Sequence, residues 1–383
     1  MKRQFTLLSE GEISLKGHNR KYFENILIEN LNCYLERYQL NINKEKQGRY
    51  IIHMDNFTGN IEKIIDDIAF VPGVKTIYQG YKIDRDIDES VNIILELLEG
   101  VKTFKIKAKR VDKTYNLTSM ELNRRIGRLI LEKCSKLKVD VKNPERLIYF
   151  EVFNNHFKIY FKKKNGLGGL PYGSSGKIVC MLSAGIDSPV AAFMMAKRGA
   201  NIIPIYFHTP PYTGEKTLQK VRNIVMRLSA ITIKKIKLCI VNYSKIQISI
   251  GKYVPEKYWT VVSRRIMAKI AEEIAGSEAA FAIATGESLG QVSSQTIYNI
   301  YAISETVSKP IFRPLIGFDK EEIVKLSKEI GTYDISISDG LDCCLLFAPK
   351  NPTTKANINE IRAFEDNLYN NSYIDYSYNT ELI

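Results

Sequence analysis

The sequence predicts an α/β protein: a doubly wound parallel sheet in the C-terminal part, preceded by two smaller α+β units. Three observations carry this. From Lys177 onward, short apolar runs alternate with amphipathic stretches, the pattern of strands and helices around a buried parallel sheet. Within that part, the apolar run Ile178–Leu182 breaks into small polar residues and then resumes at helical spacing. Upstream, about 160 residues carry period-two strands and separate amphipathic helices, and a chain of 383 residues exceeds what one core serves.

Residues 1–60 read as the first unit. Gln4–Ser9 is a strand, and from Lys21 the positions Phe23, Ile26, Leu27, Leu31 and Leu35 form a helical stripe. Gln47–Met54 then alternates like a second strand. Strand, helix and strand at this size suggest a ferredoxin-like α+β unit, and the cluster Lys16 to Lys21 could grip phosphate.

Residues 61–164 read as the second unit. Ile61–Phe70 is a helix that stops at Pro72-Gly73, Val74–Ile83 a strand, and Ser90–Leu98 a helix ended by Gly100. Phe104, Ile106 and Ala108 then alternate with Lys105, Lys107 and Lys109, which makes one strand face basic; Arg110 and Lys113 follow. Ser119 marks a capped helix with Leu122, Ile126, Leu129 and Ile130 inward and Arg124, Arg125 and Arg128 outward. Val101 to Lys138 holds 12 Lys/Arg against three acidic residues, so a one-sided basic surface on a folded unit is expected. Such a surface is the footprint of a nucleic-acid backbone reader. Residues 165–176, NGLGGLPYGSSG, read as a Gly/Ser-rich joint.

The third unit is expected over 177–383. After Ile178–Leu182 come Ser183-Ala184-Gly185-Ile186-Asp187-Ser188, then a helix with Pro189 in its first turn and Gly199 as its stop. Strand, small-residue turn and helix start aim free backbone N–H groups at one point, an anion site. Ser183 and Ser188 add donors, and Asp187 could hold Mg2+ on a polyphosphate. Strands at Asn201–Phe207, Ile236–Val241 and Ala279–Ala284 alternate with helices at Thr217–Ser229 and Val261–Ala275. In such a sheet, ligands bind at the carboxyl ends of the strands. TGESLGQVSSQT (Thr285–Thr296) is dense in small polar groups at such an end. Gly286 could let a nucleotide lie against backbone, and Gln291 or Gln295 could read base or sugar. In FRPLIGFDKEEI, Asp319 caps a helix and Lys320 takes its first position, where a cation opposes the dipole; a lysine aimed at phosphate explains that placement.

Composition narrows the class. A balance of 55 Lys+Arg against 42 Asp+Glu gives +13, which favours a polyanionic partner. No apolar run approaches a membrane span and Met1–Leu8 is too brief for a secretory signal, so a cytoplasmic protein is expected. Six cysteines show no C-x-x-C pair and histidines number four, so no structural metal is expected. Cys33, Cys134, Cys180 and Cys239 lie in apolar patterns as small buried hydrophobes, whereas Cys343 and Cys344 follow the loop-like Ser336–Gly340.

Several of these segments resemble known families. The Ser183–Ser188 loop resembles the S-G-G-x-D-S pyrophosphate loop of the ATP pyrophosphatases (PP-loop enzymes), with Ala184 in place of the first glycine. Alanine is tolerated there if its φ is negative. The order F-K-I-K-A-K-R-x-x-K, S-x-E-L, R-R-x-G resembles the THUMP domain of RNA-modifying enzymes. Taken together, LSAGIDSPVA, FHTPPYT, TGESLGQVSSQT, RPLIGFDKEEI and DCC resemble the tRNA 4-thiouridine synthetases (tRNA sulfurtransferases) over essentially the whole chain.

That resemblance implies an adenylating enzyme that thiolates uridine 8 of tRNA with ATP, using persulfide sulfur from a cysteine desulfurase. It also implies sulfur transfer toward the thiamine thiazole through a sulfur-carrier protein; a homodimer and the form without a rhodanese domain are expected. Met181, Leu182, Tyr206, Phe207, Arg264, Gly286 and Gln295 would line the ATP site with Ser183, Gly185, Asp187 and Ser188. Asp187 and Lys320 would serve adenylation and Cys343 would carry sulfur. The alternatives are another PP-loop tRNA-modifying enzyme of lysidine or 2-thiolation type, and an RNA-binding protein with a degenerate ATP loop.

Overall fold

The computed structural model describes residues 3–55, 57–338, 349–372 and 376–383. It divides into two compact units, Met1–Gly169 and Leu170–Ile383.

The first unit is built on one eight-stranded sheet. In chain order it holds β1 (Arg3–Glu10), α1 (Arg20–Leu35), β2 (Ile42–Lys46), β3 (Arg49–His53), α2 (Ile61–Ala69) and β4 (Val74–Ile83). Then follow α3 (Ile87–Leu97), β5 (Thr103–Arg110), α4 (Ser119–Lys133), β6 (Lys138–Val139), β7 (Arg146–Val152) and β8 (Phe157–Asn165). The strand order is β2-β3-β1-β4-β8-β7-β5-β6. β4 is the hinge of this order, antiparallel to β1 on one side and to β8 on the other. Residues 1–60 and 61–164 therefore share a continuous hydrogen-bonded sheet. Gly80 on β4 is obligatory where this strand meets β8, because an added Cβ would lie 2.2 Å from the Ile159 carbonyl oxygen and 2.5 Å from Tyr160 Cβ.

Local readings change in four places. The strand expected over Gln47–Met54 is present as β3, and a second strand, β2, precedes it in a hairpin turned at Gly48 with φ of 77°. β2 reads INKEK, a polar edge strand without apolar alternation, which is why the sequence hid it. The cap of α4 is Thr118, not Ser119: its side chain accepts from the Glu121 N–H while Glu121 answers at the Thr118 N–H, a capping box. The strand expected over Ala279–Ala284 shrinks to three residues, because Ala279 sits at φ of 53°. The expected joint 165–176 is not slack. Gly166 and Leu167 N–H donate to the Lys75 and Ala69 carbonyls, while Leu170 N–H donates to Lys197 and Ser175 N–H to Gly199.

The second unit is the doubly wound sheet. It comprises β9 (Lys177–Leu182), α5 (Asp187–Lys197), β10 (Asn201–His208), α6 (Glu215–Thr232), β11 (Lys237–Asn242), α7 (Ser244–Tyr253) and α8 (Trp259–Ser277). Then come β12 (Ala282–Ala284), α9 (Ile297–Ser304), β13 (Ile311–Phe312), α10 (Lys320–Ile330), α11 (Tyr333–Ile337), a helix at Ile358–Asn371, and β14 (Tyr378–Leu382). The order β13-β12-β9-β10-β11-β14 is parallel except at β14. β9 and β10 are central, and Val179, Met181, Ile203, Ile205 and Phe207 on one face pack against Val262, Ile266, Met267 and Ile270 of α8. The carboxyl ends of β9, β10 and β12 thus open on one side, where the polar turns lie. No helix among the described residues is long and apolar enough to cross a membrane.

Candidate active site

The loop between β9 and α5 is fixed by its own side chains. Ser183 N–H donates to Ser188 Oγ at 2.8 Å, the two hydroxyls lie 3.0 Å apart, and Gly185 N–H donates to Ser183 Oγ at 3.3 Å. The serines expected as anion donors therefore first set the loop's shape. Ala184 is not among the residues with positive φ and its side chain is buried, so alanine fits without strain. α5 begins at Asp187, ends at Lys197 with Arg198 as its cap, and passes into Gly199 at φ of 86°, the left-handed stop expected.

Gly286 lines the cavity and has a further reason besides the one expected. A Cβ there would lie 2.7 Å from both N and Cα of Ser188. The glycine lets the turn after β12 close onto the first turn of α5, so the two loops form one wall.

All eleven positions expected at the nucleotide line a single cavity: Met181, Leu182, Ser183, Gly185, Asp187, Ser188, Tyr206, Phe207, Arg264, Gly286 and Gln295. Ile186, Met267 and Glu287 complete it. Met267 lies one helical turn beyond Arg264, a spacing readable in the sequence. Glu287 is not a free acid, since Arg313 Nε at 2.5 Å and Thr285 Oγ1 at 3.0 Å both donate to its Oε2. The neighbouring arginines of α8 part company. Arg265 is buried and holds Glu365 at 2.7 Å and Glu305 at 2.5 Å, a structural pin, while Arg264 faces the cavity.

Asp187 joins three elements. Lys320 Nζ donates to its Oδ1 at 2.5 Å and Gln291 Nε2 to its Oδ2 at 2.8 Å. Asp319 and Glu322 close a capping box on α10, which places Lys320 at the first helical position. The ion pair with Asp187 accounts for a cation at a helix N-terminus. With the lysine side chain 48% exposed, the pair is worth no more than about 1 kcal/mol and is readily exchanged. Gln295 lines the cavity whereas Gln291 sits behind it on Asp187. The Oε1 atoms of both are buried without a protein partner among the described residues, which costs about 1–3 kcal/mol each until a donor arrives.

Cys343 and Cys344 lie outside the described residues. The chain before them is moored: Ser336 Oγ donates to the Gly185 carbonyl at 3.1 Å, and the buried Lys220 ammonium donates to the Ser338 carbonyl at 2.8 Å. After them, Lys350 N–H donates to Glu256 at 2.8 Å. Of the other cysteines, Cys180 and Cys239 are buried as expected, and burial pushes their thiols up to about 12 and about 11. Cys33 departs from the expectation. It is exposed, because Phe23, Leu27 and Leu31 define the buried stripe of α1 and position 33 falls opposite. Cys134, at the C-cap of α4, is half-buried.

The basic surface of the first unit also departs from its expectation. Phe104 and Ile106 of β5 pack against Leu122, Ile126 and Ile130 of α4. Lys107 therefore emerges on the other sheet face, over the Tyr149 ring at 5.8 Å, and Lys109 shares that face. Lys105 reaches round the sheet edge to the Val141 carbonyl at 2.8 Å and borders a groove with Arg124 and Arg128. The cations wrap an edge rather than coating one face. Arg110 is committed to the Lys113 and Tyr115 carbonyls, which orders the following loop, while Lys113, Arg124 and Arg125 stand exposed. Arg128 pairs with Glu132 at 2.7 Å, both well exposed. Replacing Arg124, Arg125 and Arg128 together by alanine should weaken tRNA binding and flatten its salt dependence, by a slope of about 0.7–0.9 per lost phosphate contact. Filter binding across a salt series checks this, and an unchanged slope places the RNA surface elsewhere.

Comparison with known proteins agrees with this architecture. Residues 173–369 match the family described as thiamine biosynthesis protein (ThiI), residues 86–162 the THUMP domain, and residues 6–77 the ThiI ferredoxin-like domain. A Thermoanaerobacter pseudethanolicus protein named "Probable tRNA sulfurtransferase" is 42% identical over 371 residues, covering 96% of each chain. A Staphylococcus aureus protein of the same name is 38% identical, covering 95% of this chain and 90% of its own. Among solved structures, a 4-thiouridine synthetase–RNA complex with bound ATP superposes with a TM-score of 0.88 at 36% identity, covering 99% of each chain. The Pyrococcus horikoshii protein PH1313, at 21% identity and a TM-score of 0.63 over 86% of this chain and 99% of its own, shares the fold. The chain belongs to the tRNA sulfurtransferase (4-thiouridine synthetase) family of enzymes.

Proposed function

We propose that this ATP-dependent tRNA sulfurtransferase converts uridine 8 of tRNA to 4-thiouridine through an adenylated uridine. The observation that carries the reading is the convergence on one cavity of the eleven positions that the loop and the family resemblance led us to expect, walled by a self-braced loop before α5. A uracil C4 oxygen is a poor leaving group. Its attack on the α-phosphate of ATP expels pyrophosphate and turns that oxygen into the bridge to AMP, a good one. Backbone N–H groups at the start of α5 face the charge that develops on the departing pyrophosphate, and Lys320 adds a mobile cation. The Gln295 carboxamide offers its open Oε1 to an amino group of the nucleotide.

Mg2+ fits the cavity, where Asp187 is the carboxylate among the described residues that would hold it beside the phosphates. It would neutralise charge shared by the α- and β-phosphates. Asp187 must then part from Lys320, an exchange that their exposure permits.

Sulfur arrives as a persulfide on Cys343, delivered by a cysteine desulfurase. Its terminal sulfur attacks C4, AMP leaves, and the disulfide so formed is cleaved by Cys344 or an external thiol, which supplies the two electrons. Cys180 and Cys239 are too buried and too protonated for this role. Sulfur transfer to a thiamine sulfur-carrier protein uses the same persulfide, and the working species is a cytoplasmic homodimer. Mass spectrometry of tRNA nucleosides from cells with and without the gene tests the reading: 4-thiouridine should vanish on deletion, and its persistence would sink the assignment.

A further inference from the structure

We infer that Gln291 is the positioning residue that holds Asp187 for adenylation, its side-chain amide lying 2.8 Å from the carboxylate it orients. The inference rests on the proposal that Asp187 serves adenylation. Asp187 occupies the first position of α5, where a carboxylate ordinarily turns back onto its own helix N–H groups. Here both oxygens are taken by side chains from far along the chain, Lys320 on Oδ1 and Gln291 on Oδ2.

The two holders differ in kind. Lys320 is half-exposed and must yield when a phosphate or cation approaches. Gln291 is partly buried and bears no charge, so no ligand competes for it electrostatically. One carboxylate oxygen is thereby kept turned away and the other left exchangeable. The orientation of the carboxamide is fixed by chemistry, since an ionised carboxylate only accepts. That orientation leaves Gln291 Oε1 buried and without a protein partner among the described residues. A purely structural glutamine would have both ends satisfied. Gln291 satisfies Asp187 at its own expense, which is what a residue placed for the site does. The turn is built to hold it: Gly286 seats the turn against Asp187 and Ser188, and Gly290 N–H donates to the Gln295 carbonyl at 2.8 Å.

The test uses the full-length protein with tRNA, ATP and Mg2+. Gln291→Met keeps the volume and removes the donor, and Gln291→Glu sets a like charge against Asp187. Asp187→Ala is the reference. Single-turnover formation of adenylated tRNA should fall about 10- to 100-fold in both glutamine variants, with the Mg2+ requirement raised. ATP affinity by equilibrium dialysis should stay at the wild-type value, because Gln291 does not line the cavity. Melting temperatures select the variants that fold, and either one alone decides. Wild-type adenylation rates in a folded variant overturn the inference, as does a loss confined to ATP affinity. If Asp187→Ala itself adenylates normally, the role of Asp187 fails instead, and the two failures are told apart.

Discussion

Asp187→Ala should abolish adenylation of tRNA while leaving tRNA affinity nearly intact. The carboxylate is the junction of α5, the 285–296 turn and α10, and its removal frees Lys320 and Gln291 together. A lysine with no counter-charge can still meet a phosphate, but nothing then orients it. The loss expected is at least about 10²–10³-fold in the adenylation rate, the scale of removing one preorganised electrostatic group. Affinity for tRNA should hold if the exposed cations of the first unit, Lys113, Arg124 and Arg125 among them, supply it as expected. The check is ATP–pyrophosphate chemistry with bound tRNA beside a filter-binding isotherm. A mutant that loses tRNA binding yet keeps ATP turnover would reverse this division of labour.

Cys343→Ser should give the complementary result: full adenylation with no sulfur transferred. Serine keeps the size of the side chain and cannot carry a persulfide. The segment's moorings, Ser336 on the Gly185 carbonyl and Lys220 on the Ser338 carbonyl, are untouched by the change. The described lining of the nucleotide cavity lies among residues 181–295 and is left as it is by the substitution. Single-turnover thiolation with desulfurase, ATP and tRNA reads this directly, with adenylated tRNA accumulating in place of 4-thiouridine. Complete thiolation by Cys343→Ser, with loss in Cys344→Ser, would transfer the carrier role to the second thiol.

Legibility in the sequence followed the locality of the physics. The β9–loop–α5 stretch was readable because a strand, a cap region and a stop such as Gly199 are each written in adjacent residues. The Asp319–Lys320 start of α10 was readable for the same reason. Three features were not. β2 carries no apolar alternation, because an edge strand needs none. The wrap of cations around the β5 edge depends on which strand lies beside which, and period-two alternation fixes a side chain's face without fixing what lies on it. The contact of Gln291 with Asp187 joins residues 104 positions apart, so the polar turn announced a binding region without saying which glutamine meets the ligand and which meets the acid.

The seam at β4 has a consequence for how the first 169 residues acquire their structure. β1 has no completed pairing until β4, more than sixty residues later, has been made, and β4 in turn bonds β8 near the end of the unit. Each half left alone would present the raw edge of a broken ladder, with unmet N–H and C=O groups along β4. The amino-terminal segment therefore completes its sheet only once β4 and β8 have been made, and its stability draws on both. The ferredoxin-like part and the THUMP part should therefore melt as one cooperative body, and hydrogen exchange at β8 in a β1 variant checks this.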